Sequence, residues 1–393
     1  MDVGRRQLLR LTAGKAVANT ALRWIPFFLP TLAVALDATT AQLTAVLGFG
    51  ELAGLSTLLV GRRLDGGRER PVMAGALALV AASAVVALVG TVPFFTVSFV
   101  LLILGVSHYT VGGHVYFSRR VPFERRARTL GMFETSWALA LLVGAPVVAG
   151  LIALYGWRGP FIAVAAAATV MAIVVARGDE GPAPPVVEGD AVASRTLTTE
   201  AWIVVAASAA IAMAGLTTIV IAGTWLDDAL GVSTGGIGLV AMAFGAAELI
   251  ASSSSAAVAD RAGPVGSTRL ALVAVIAGLA VMVVADRSAV VGAAGLMLFF
   301  LGFEYAIVTS FSIVSEAMPM ARGRVLAANN AVGTVARGAG TVASGVLYAR
   351  FGIAGPVGLS ATAALIAIGL LAMATPGPAE RLRSRRRTRR GRR

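Results

Sequence analysis

Long apolar runs separated by short charged clusters constrain this sequence more than any other feature. A membrane-spanning helix needs about 20 mostly apolar residues, and we count twelve stretches of that kind. Helix is the expected state, because open strands leave backbone groups unpaired in lipid. We therefore predict an all-α membrane protein with twelve transmembrane helices. The predicted spans, numbered 1 to 12, are 16–36, 41–61, 71–90, 93–117, 129–153, 157–176, 201–226, 235–258, 267–285, 288–313, 323–348 and 353–374.

The composition agrees with residence in a bilayer. Hydrophobic residues make up 57% of the chain and charged residues 13%, whereas soluble domains carry about 25% charged residues. Cysteine is absent, which excludes disulfides and thiolate metal sites. The sequence has no phosphate-binding Gly-x-x-x-x-Gly-Lys motif, no cluster of metal ligands and no catalytic constellation. We therefore expect no enzyme activity, no metal and no cofactor.

The positive charges predict the orientation of the chain. With a cytoplasmic N-terminus, 28 Lys and Arg residues fall in inner segments, and only Arg158, Arg287 and Arg350 fall in outer loops. Cytoplasmic loops are enriched in such residues. We therefore predict a multi-pass protein of the cell inner (plasma) membrane with both termini cytoplasmic. Residues 5–10 also look faintly like a twin-arginine export signal, but such signals are short and a second span follows at once.

An internal repeat of about half the chain length predicts two similar bundles. The charged loop at 61–70 has a shorter copy at 259–263, and Asp65 and Asp260 are 195 residues apart. The segment 177–200 contains three prolines and five acidic residues, which favours a flexible linker. The predicted parts are a six-helix bundle at 1–176, a cytoplasmic linker at 177–200, a second six-helix bundle at 201–376 and a disordered basic tail at 377–393.

These residues resemble the major facilitator superfamily from the first span to residue 374. The family signature between spans 2 and 3 reads Gly-x-x-x-Asp-Arg-x-Gly-Arg-Arg. Gly67 comes one residue early for it, and Gly66 replaces the usual Arg. The positions that match are Gly61, Asp65, Arg68 and Arg70 in the first copy, Asp260, Arg261 and Gly263 in the second, and Gly156, Trp157, Arg158 and Phe161 at span 6. The resemblance implies two six-helix bundles that open to each side in turn.

The resemblance also implies a gate at the inner face. The signature acid, Asp65 here, latches that gate in the outward-facing state, opposite the start of span 11 near Gly323. A carboxylate facing a helix N-terminus is stabilised by about 0.3–1 kcal/mol. The alternative is that the arginines of this loop only enforce topology. The predicted gating residues are Asp65, Arg68, Arg70, Glu134, Asp260 and Arg261, with Glu134 expected in an ion pair near Arg70.

Eight ionisable residues fall at membrane depth: Arg23, Glu51, His108, His114, Glu134, Glu248, Glu304 and Arg337. Each costs about 2.5–3.5 kcal/mol or more at a helix centre, so each is expected to face a partner or water. The resemblance implies that spans 1, 4, 7 and 10 line the central cavity. The predicted substrate- and proton-binding residues are Arg23, Glu51, His108, Glu248, Glu304 and Arg337.

Within this set, Glu304 is the preferred proton carrier. A carboxyl group held away from water can exchange a proton near neutral pH. Glu51 and Glu248 come next, and His108 is a candidate relay because imidazole ordinarily titrates near pH 6.5. The alternative is that Arg337 only neutralises Glu304 or Glu248. We place His114 at the membrane interface.

The arginine-rich segment 381–393 predicts binding to anionic lipid head groups. It has no interleaved aromatic residues for stacking on nucleic acid, so no nucleic-acid partner is expected.

We predict a monomeric secondary transporter that exports a small organic solute in exchange for protons. Export is favoured by Gly144 to Gly150 in span 5, which is similar to the Gly-Pro-x-x-Gly-Gly motif of family exporters. Proton-coupled uptake is the alternative, with Arg23 binding the carboxylate of a polar metabolite. A non-transporting membrane sensor or scaffold that acts through the basic tail is the alternative of another class.

Overall fold

The computed structural model describes residues 4–57, 59, 64, 67–178, 196–285, 288–318 and 321–374. The helices before residue 178 are α1 (Arg5–Arg23), α2 (Leu29–Ala35), α3 (Thr40–Glu51, continued by a 3-10 turn at Leu52–Ser56), α4 (Glu69–Ala87), α5 (Val92–Arg120), α6 (Phe123–Leu142), α7 (Gly144–Tyr155) and α8 (Arg158–Ala176). The helices after residue 196 are α9 (Thr199–Asp228), α10 (Thr234–Ala262), α11 (Pro264–Val283), α12 (Ala289–Ala317), α13 (Arg322–Phe351) and α14 (Ala354–Met373).

The described residues confirm an all-α membrane fold. Nine of their helices are long and apolar enough to cross a membrane, or ten if the bent pair Leu29–Ala35 and Thr40–Ser56 counts as one span. The twelve-span prediction divides this region differently: α2 continues α1 as span 1, α3 is span 2, and α13 is span 11. Hydropathy misses α1 and α13 because α1 carries Lys15 and Arg23, and α13 carries Arg337. Polar side chains that face protein rather than lipid are compatible with a spanning helix.

Two of the predicted spans are broken. Span 1 is interrupted at residues 24–28, next to Pro26 and Pro30, and span 5 is interrupted at Val143, before Pro146. Proline removes a backbone donor and clashes with the preceding turn, so helices bend or stop there. The helix that contains span 1 also begins before residue 16, since α1 starts at Arg5.

Corresponding helices pack in corresponding ways in the N- and C-terminal parts. In the first part, α4 packs against α5 and α8, and α1 packs against α6. In the second part, α11 packs against α12 and α14, and α9 packs against α13. These are the pairings expected of a duplicated six-span unit. Residues 179–195, the centre of the predicted linker, lie outside the described residues, so the predicted domain boundaries stay a prediction.

The two parts approach each other closely from mid-depth to one face of the molecule. We call this the distal face, where α3 begins, and the opposite one the terminal face, where α1 begins. A Cβ atom on Gly48 of α3 would lie 2.5 Å from the Gly338 carbonyl oxygen of α13, and one on Gly223 of α9 would overlap the Phe27 carbonyl. Only glycine permits such backbone contact.

Among the described residues, the close backbone contacts between the halves lie between mid-depth and the distal face. The halves are therefore closed against each other on the distal side.

Candidate substrate and proton site

An ion pair between Arg23 and Glu248 joins the two parts at mid-depth. The Arg23 Nη1 atom of α1 lies 2.6 Å from Glu248 Oε2 of α10, and it also donates to the Trp137 carbonyl oxygen of α6 at 2.6 Å. The guanidinium lies 5.1 Å from the centroid of the Trp137 ring. The Arg23 and Glu248 side chains are 13% and 11% exposed. Removing one partner from such a buried pair leaves an uncompensated charge.

Glu304 lies beside this pair without a partner of its own. Glu304 lies on α12 and is only 9% exposed, and its carboxyl group interacts electrostatically with Glu248 and Arg23. Among the described residues it makes no ion pair and no hydrogen bond. Two carboxyl groups therefore share one arginine. Two ionised carboxyl groups beside one arginine carry an excess negative charge, so the cluster has room for a proton or another cation.

A second ion pair crosses between the parts on the other side of the bundle. The Arg337 Nε atom of α13 lies 3.2 Å from Glu51 Oε2 of α3, and Arg337 Nη2 donates to Thr334 Oγ1 at 3.1 Å. Glu51 and Glu248 occupy equivalent places in the repeat, and each is held by an arginine from the opposite half. The alternative that Arg337 neutralises Glu304 or Glu248 is therefore wrong.

The described hydrogen bond of His108 goes to a serine and not to one of these carboxylates. Its Nε2 atom lies 3.3 Å from Ser56 Oγ, at the end of the 3-10 turn that follows α3. Among the described contacts none joins His108 to Glu304. Its role as a relay stays a prediction.

Glu134 belongs to a third charged cluster, within the N-terminal part. Lys15 Nζ of α1 and His114 Nε2 of α5 each lie 2.5 Å from the same oxygen, Glu134 Oε1. Lys15 also lies 4.3 Å from the centroid of the Phe133 ring. The predicted contact between Glu134 and Arg70 is wrong, since Arg70 donates to the Gly178 carbonyl. Lys15 is one of the 28 Lys and Arg residues that the orientation prediction places in inner segments, and it is fully buried.

The predicted gating residues are described only in part. Asp65 lies outside the described residues, and Asp260 and Arg261 lie in α10 with side chains that are not described. Arg68 is exposed and immediately precedes α4. These assignments stay predictions.

An ion-pair cluster that the sequence did not indicate lies next to this loop. Arg119 Nη1 donates to Glu69 Oε1 at 2.8 Å and to the Leu64 carbonyl at 2.9 Å. Arg120 Nη1 lies 3.5 Å from Glu69 Oε2. The buried Glu69 thus fixes the end of α5 to the start of α4.

Sequence reasoning missed most partners in these clusters, namely Lys15, His114, Trp137 and Ser56. One signal was present: Lys15, Asn19 and Arg23 recur every four residues in α1, which places them on one helix face. Asn19 is buried there and donates to Ser136 Oγ at 3.1 Å.

Comparisons with known proteins agree with this architecture. The family model of the Major Facilitator Superfamily matches residues 11–341. A curated relative, the uncharacterized MFS-type transporter YwfA of Bacillus subtilis (strain 168), is 26% identical over 155 residues, which are 39% of this chain and 38% of the relative. The match thus spans less than half the length of that relative.

Solved transporter structures share the fold at low sequence identity. A bacterial homolog of the human lysosomal transporter Spinster, in an inward-facing and occupied conformation, has a TM-score of 0.73 at 14% identity, with 93% of each chain covered. The D-xylose-proton symporter has a TM-score of 0.74 at 16% identity, with 92% of this chain and 96% of the symporter covered. A point mutant of the nucleoside transporter NupG has a TM-score of 0.74 at 16% identity, with 93% of this chain and 98% of the mutant covered.

Proposed function

Because the chain belongs to the major facilitator superfamily, whose members are membrane transporters, we propose that it is a secondary active transporter coupled to protons. The solute is a small organic molecule, and export in exchange for protons is the proposed direction. The observation that carries this proposal is Glu304, a buried carboxyl group without a partner beside an ion pair that joins the two halves.

The arrangement supplies a physical link between proton binding and rocking. Glu248 and Glu304 both belong to the C-terminal part, and Arg23 belongs to the N-terminal part. When Glu304 is ionised, Arg23 attracts two carboxylates across the interface, and when Glu304 is protonated it attracts Glu248 alone. The attraction between the halves is therefore stronger in the ionised state and weaker in the protonated state. Because a proton at Glu304 changes how firmly the halves are held together, it biases the equilibrium between the two openings.

The solute is proposed to bind between the halves, next to the Arg23 cluster. The terminal face, opposite the closed distal face, is proposed to be cytoplasmic, since it carries most of the arginines. A solute would then enter from the cytoplasm in the conformation described here. Export rests on this loading side together with the exporter-like run from Gly144 to Gly150.

Proton-coupled uptake is the second candidate. The D-xylose-proton symporter shares the fold with this chain, and Arg23 supplies a cationic group for a carboxylate substrate. In uptake, the solute would be released to the cytoplasm through the same opening that admits it from the cytoplasm in export. The two candidates differ in the direction of solute and proton flow, which sealed vesicles distinguish.

Purified protein in vesicles that contain a pH-sensitive dye tests the proposal. Ethidium, xylose and benzoate serve as cationic, neutral and anionic probes. At least one probe is expected to drive proton movement. Protons should move in the direction opposite to the probe if the protein is an exporter that exchanges solute for protons, and in the same direction as the probe if it is a proton-coupled uptake system. Glu304→Gln should abolish this coupled flux but leave probe-for-probe exchange intact.

The matched control is Glu188→Gln in the predicted linker, which makes the same chemical change outside the site. Coupled flux that survives Glu304→Gln would remove Glu304 from the mechanism. A protein that moves none of the probes and no protons, but loses its cellular role when residues 380–393 are deleted, would support the sensor or scaffold alternative.

A further inference from the structure

The Lys15–Glu134–His114 cluster has no part in the function proposed above. It joins three helices of the N-terminal part, α1, α5 and α6, and makes no described contact with the C-terminal part. Its ammonium group is fully buried, whereas the Glu134 and His114 side chains are 38% and 44% exposed. The cluster is therefore buried inside the bundle at one end and partly exposed at the other.

The charges of the cluster depend on His114. The Lys15 ammonium requires a counter-ion at this depth, and Glu134 supplies it. With a neutral imidazole the cluster has no net charge, and with an imidazolium it has a charge of +1. Histidine is the side chain that ordinarily changes charge between about pH 5 and 8. The cluster can thus gain or lose one proton without breaking the Lys15–Glu134 pair.

The other helices packed around His114 add no free carboxylate among the described residues. Lys15 faces the cluster from α1 and Glu134 faces it from α6, while Glu69 of α4 is bound by Arg119 and Arg120. The Phe133 ring lies edge-on to the imidazole, with a centroid distance of 6.0 Å. Glu134 is therefore the group that stabilises a proton on His114, and Lys15 is the group that opposes it.

A polar face of α1 connects this cluster to the central site. Lys15, Asn19 and Arg23 are four residues apart, so each step along the helix is about 6 Å. Asn19 lies between the two charged groups, and its buried Oδ1 atom accepts no hydrogen bond from the described residues. A buried acceptor of this kind requires a donor, which a water molecule can provide.

We propose that the Lys15–Glu134–His114 cluster is a second proton-binding site, at which the His114 imidazole exchanges a proton with water on the terminal face. The proton adds to the ring nitrogen that does not bond to Glu134, and it returns to water by the same route. The link to transport rests on the proposed function: the site makes the N-terminal half respond to pH on the terminal side, independently of Glu304.

The two histidines of the chain make the test direct. Histidine labelled with ¹⁵N in the ring gives two sets of signals in a nuclear magnetic resonance spectrum of the full-length protein in sealed vesicles. His114→Gln assigns one set by its loss. We expect the His114 signals to change between neutral and charged forms when the pH on the terminal side is changed. His114 signals that stay constant as the pH on either side is varied, or that follow only the distal side, would overturn the proposal.

Two substitutions should move proton binding in opposite directions. Glu134→Gln removes the stabilising carboxylate and should weaken proton binding to His114 at least about tenfold. Lys15→Met removes the opposing ammonium and should strengthen it by a similar factor. A cluster with only a structural role would show no such opposite change. Equal or same-signed effects would therefore count against the proposal.

Further variants separate this site from the central one. The double variant Lys15→Met/Glu134→Gln leaves no unpaired charge, so it should fold where a single variant fails, and its His114 should bind a proton with intermediate strength. Glu304→Gln should leave the His114 signals unchanged while abolishing coupled flux. His114 signals that do not respond to pH refute the second site only. Coupled flux that persists in Glu304→Gln refutes the proposed function.

Discussion

Replacing Arg23 with Met should open the distal face. The substitution removes the partner of Glu248 and leaves Glu248 and Glu304 together without a cation. With a separation of 2.6 Å and side-chain exposures near one-tenth, the pair is buried, and removal of one partner costs about 3–5 kcal/mol. Because the pair joins the halves, that cost falls on the distal-closed conformation. A loss of about 3 kcal/mol shifts an equilibrium by about 100-fold.

Glu248→Gln should have a smaller effect than Arg23→Met. After Glu248→Gln, Arg23 still has Glu304 within electrostatic range, so the arginine is not left unpaired. In the double variant Arg23→Met/Glu248→Gln, the shift toward distal opening should be smaller than the sum of the shifts in the two single variants, because the interaction is lost only once.

Labelling of one cysteine measures this opening. The chain has no native cysteine, so Ala41→Cys introduces a single thiol on α3. Its backbone lies against Gly345 of α13 in the distal closure. Reaction with a membrane-impermeant maleimide should be about 100-fold faster after Arg23→Met. Equal labelling rates in the parent and in both single variants would refute the idea that this pair holds the distal face closed.

Two other predictions concern the α3–α13 contact. Gly48→Leu places a side chain where a Cβ atom already meets the Gly338 carbonyl at 2.5 Å, so it should destabilise the protein by about 1–3 kcal/mol in thermal unfolding, whereas Gly131→Leu, with open space around it, should not. Exchanging the charges of Glu51 and Arg337 should restore the stability that either single reversal removes. A double exchange no more stable than the single reversals would show that the 3.2 Å contact contributes nothing.

The fold class could be predicted from the sequence, but the side-chain contacts within the fold could not. The lengths of the apolar runs predict the spans, and the charged residues at membrane depth are visible as exceptions. Lys15 lies just outside the predicted span 1, which begins at residue 16, whereas α1 begins at Arg5. The N-terminal part of α1 packs against α5: Gln7 donates to the Tyr116 hydroxyl, and the Tyr109 hydroxyl donates to the Leu11 backbone carbonyl.

The partners of the charged residues could not be predicted for a related reason. Helical spacing shows which residues share a face, but it does not show which helix lies opposite that face. Arg337 faces Glu51 rather than Glu304, because α13 packs against α3. Glu134 faces Lys15 rather than Arg70, because α6 packs against α1. Both outcomes depend on tertiary packing.

Distances between spin labels at the two faces test the coupling of Glu304 to rocking most directly. One pair of labels, at Gln42 and Ala349, reports the distal face, and another, at Arg128 and Arg324, reports the terminal face; all four positions are exposed. As the pH rises and Glu304 loses its proton, the distal distance should shorten and the terminal distance should lengthen. Glu304→Gln should keep both distances at their low-pH values at every pH. Distances that do not change with pH, or that change equally in Glu304→Gln, would contradict the account.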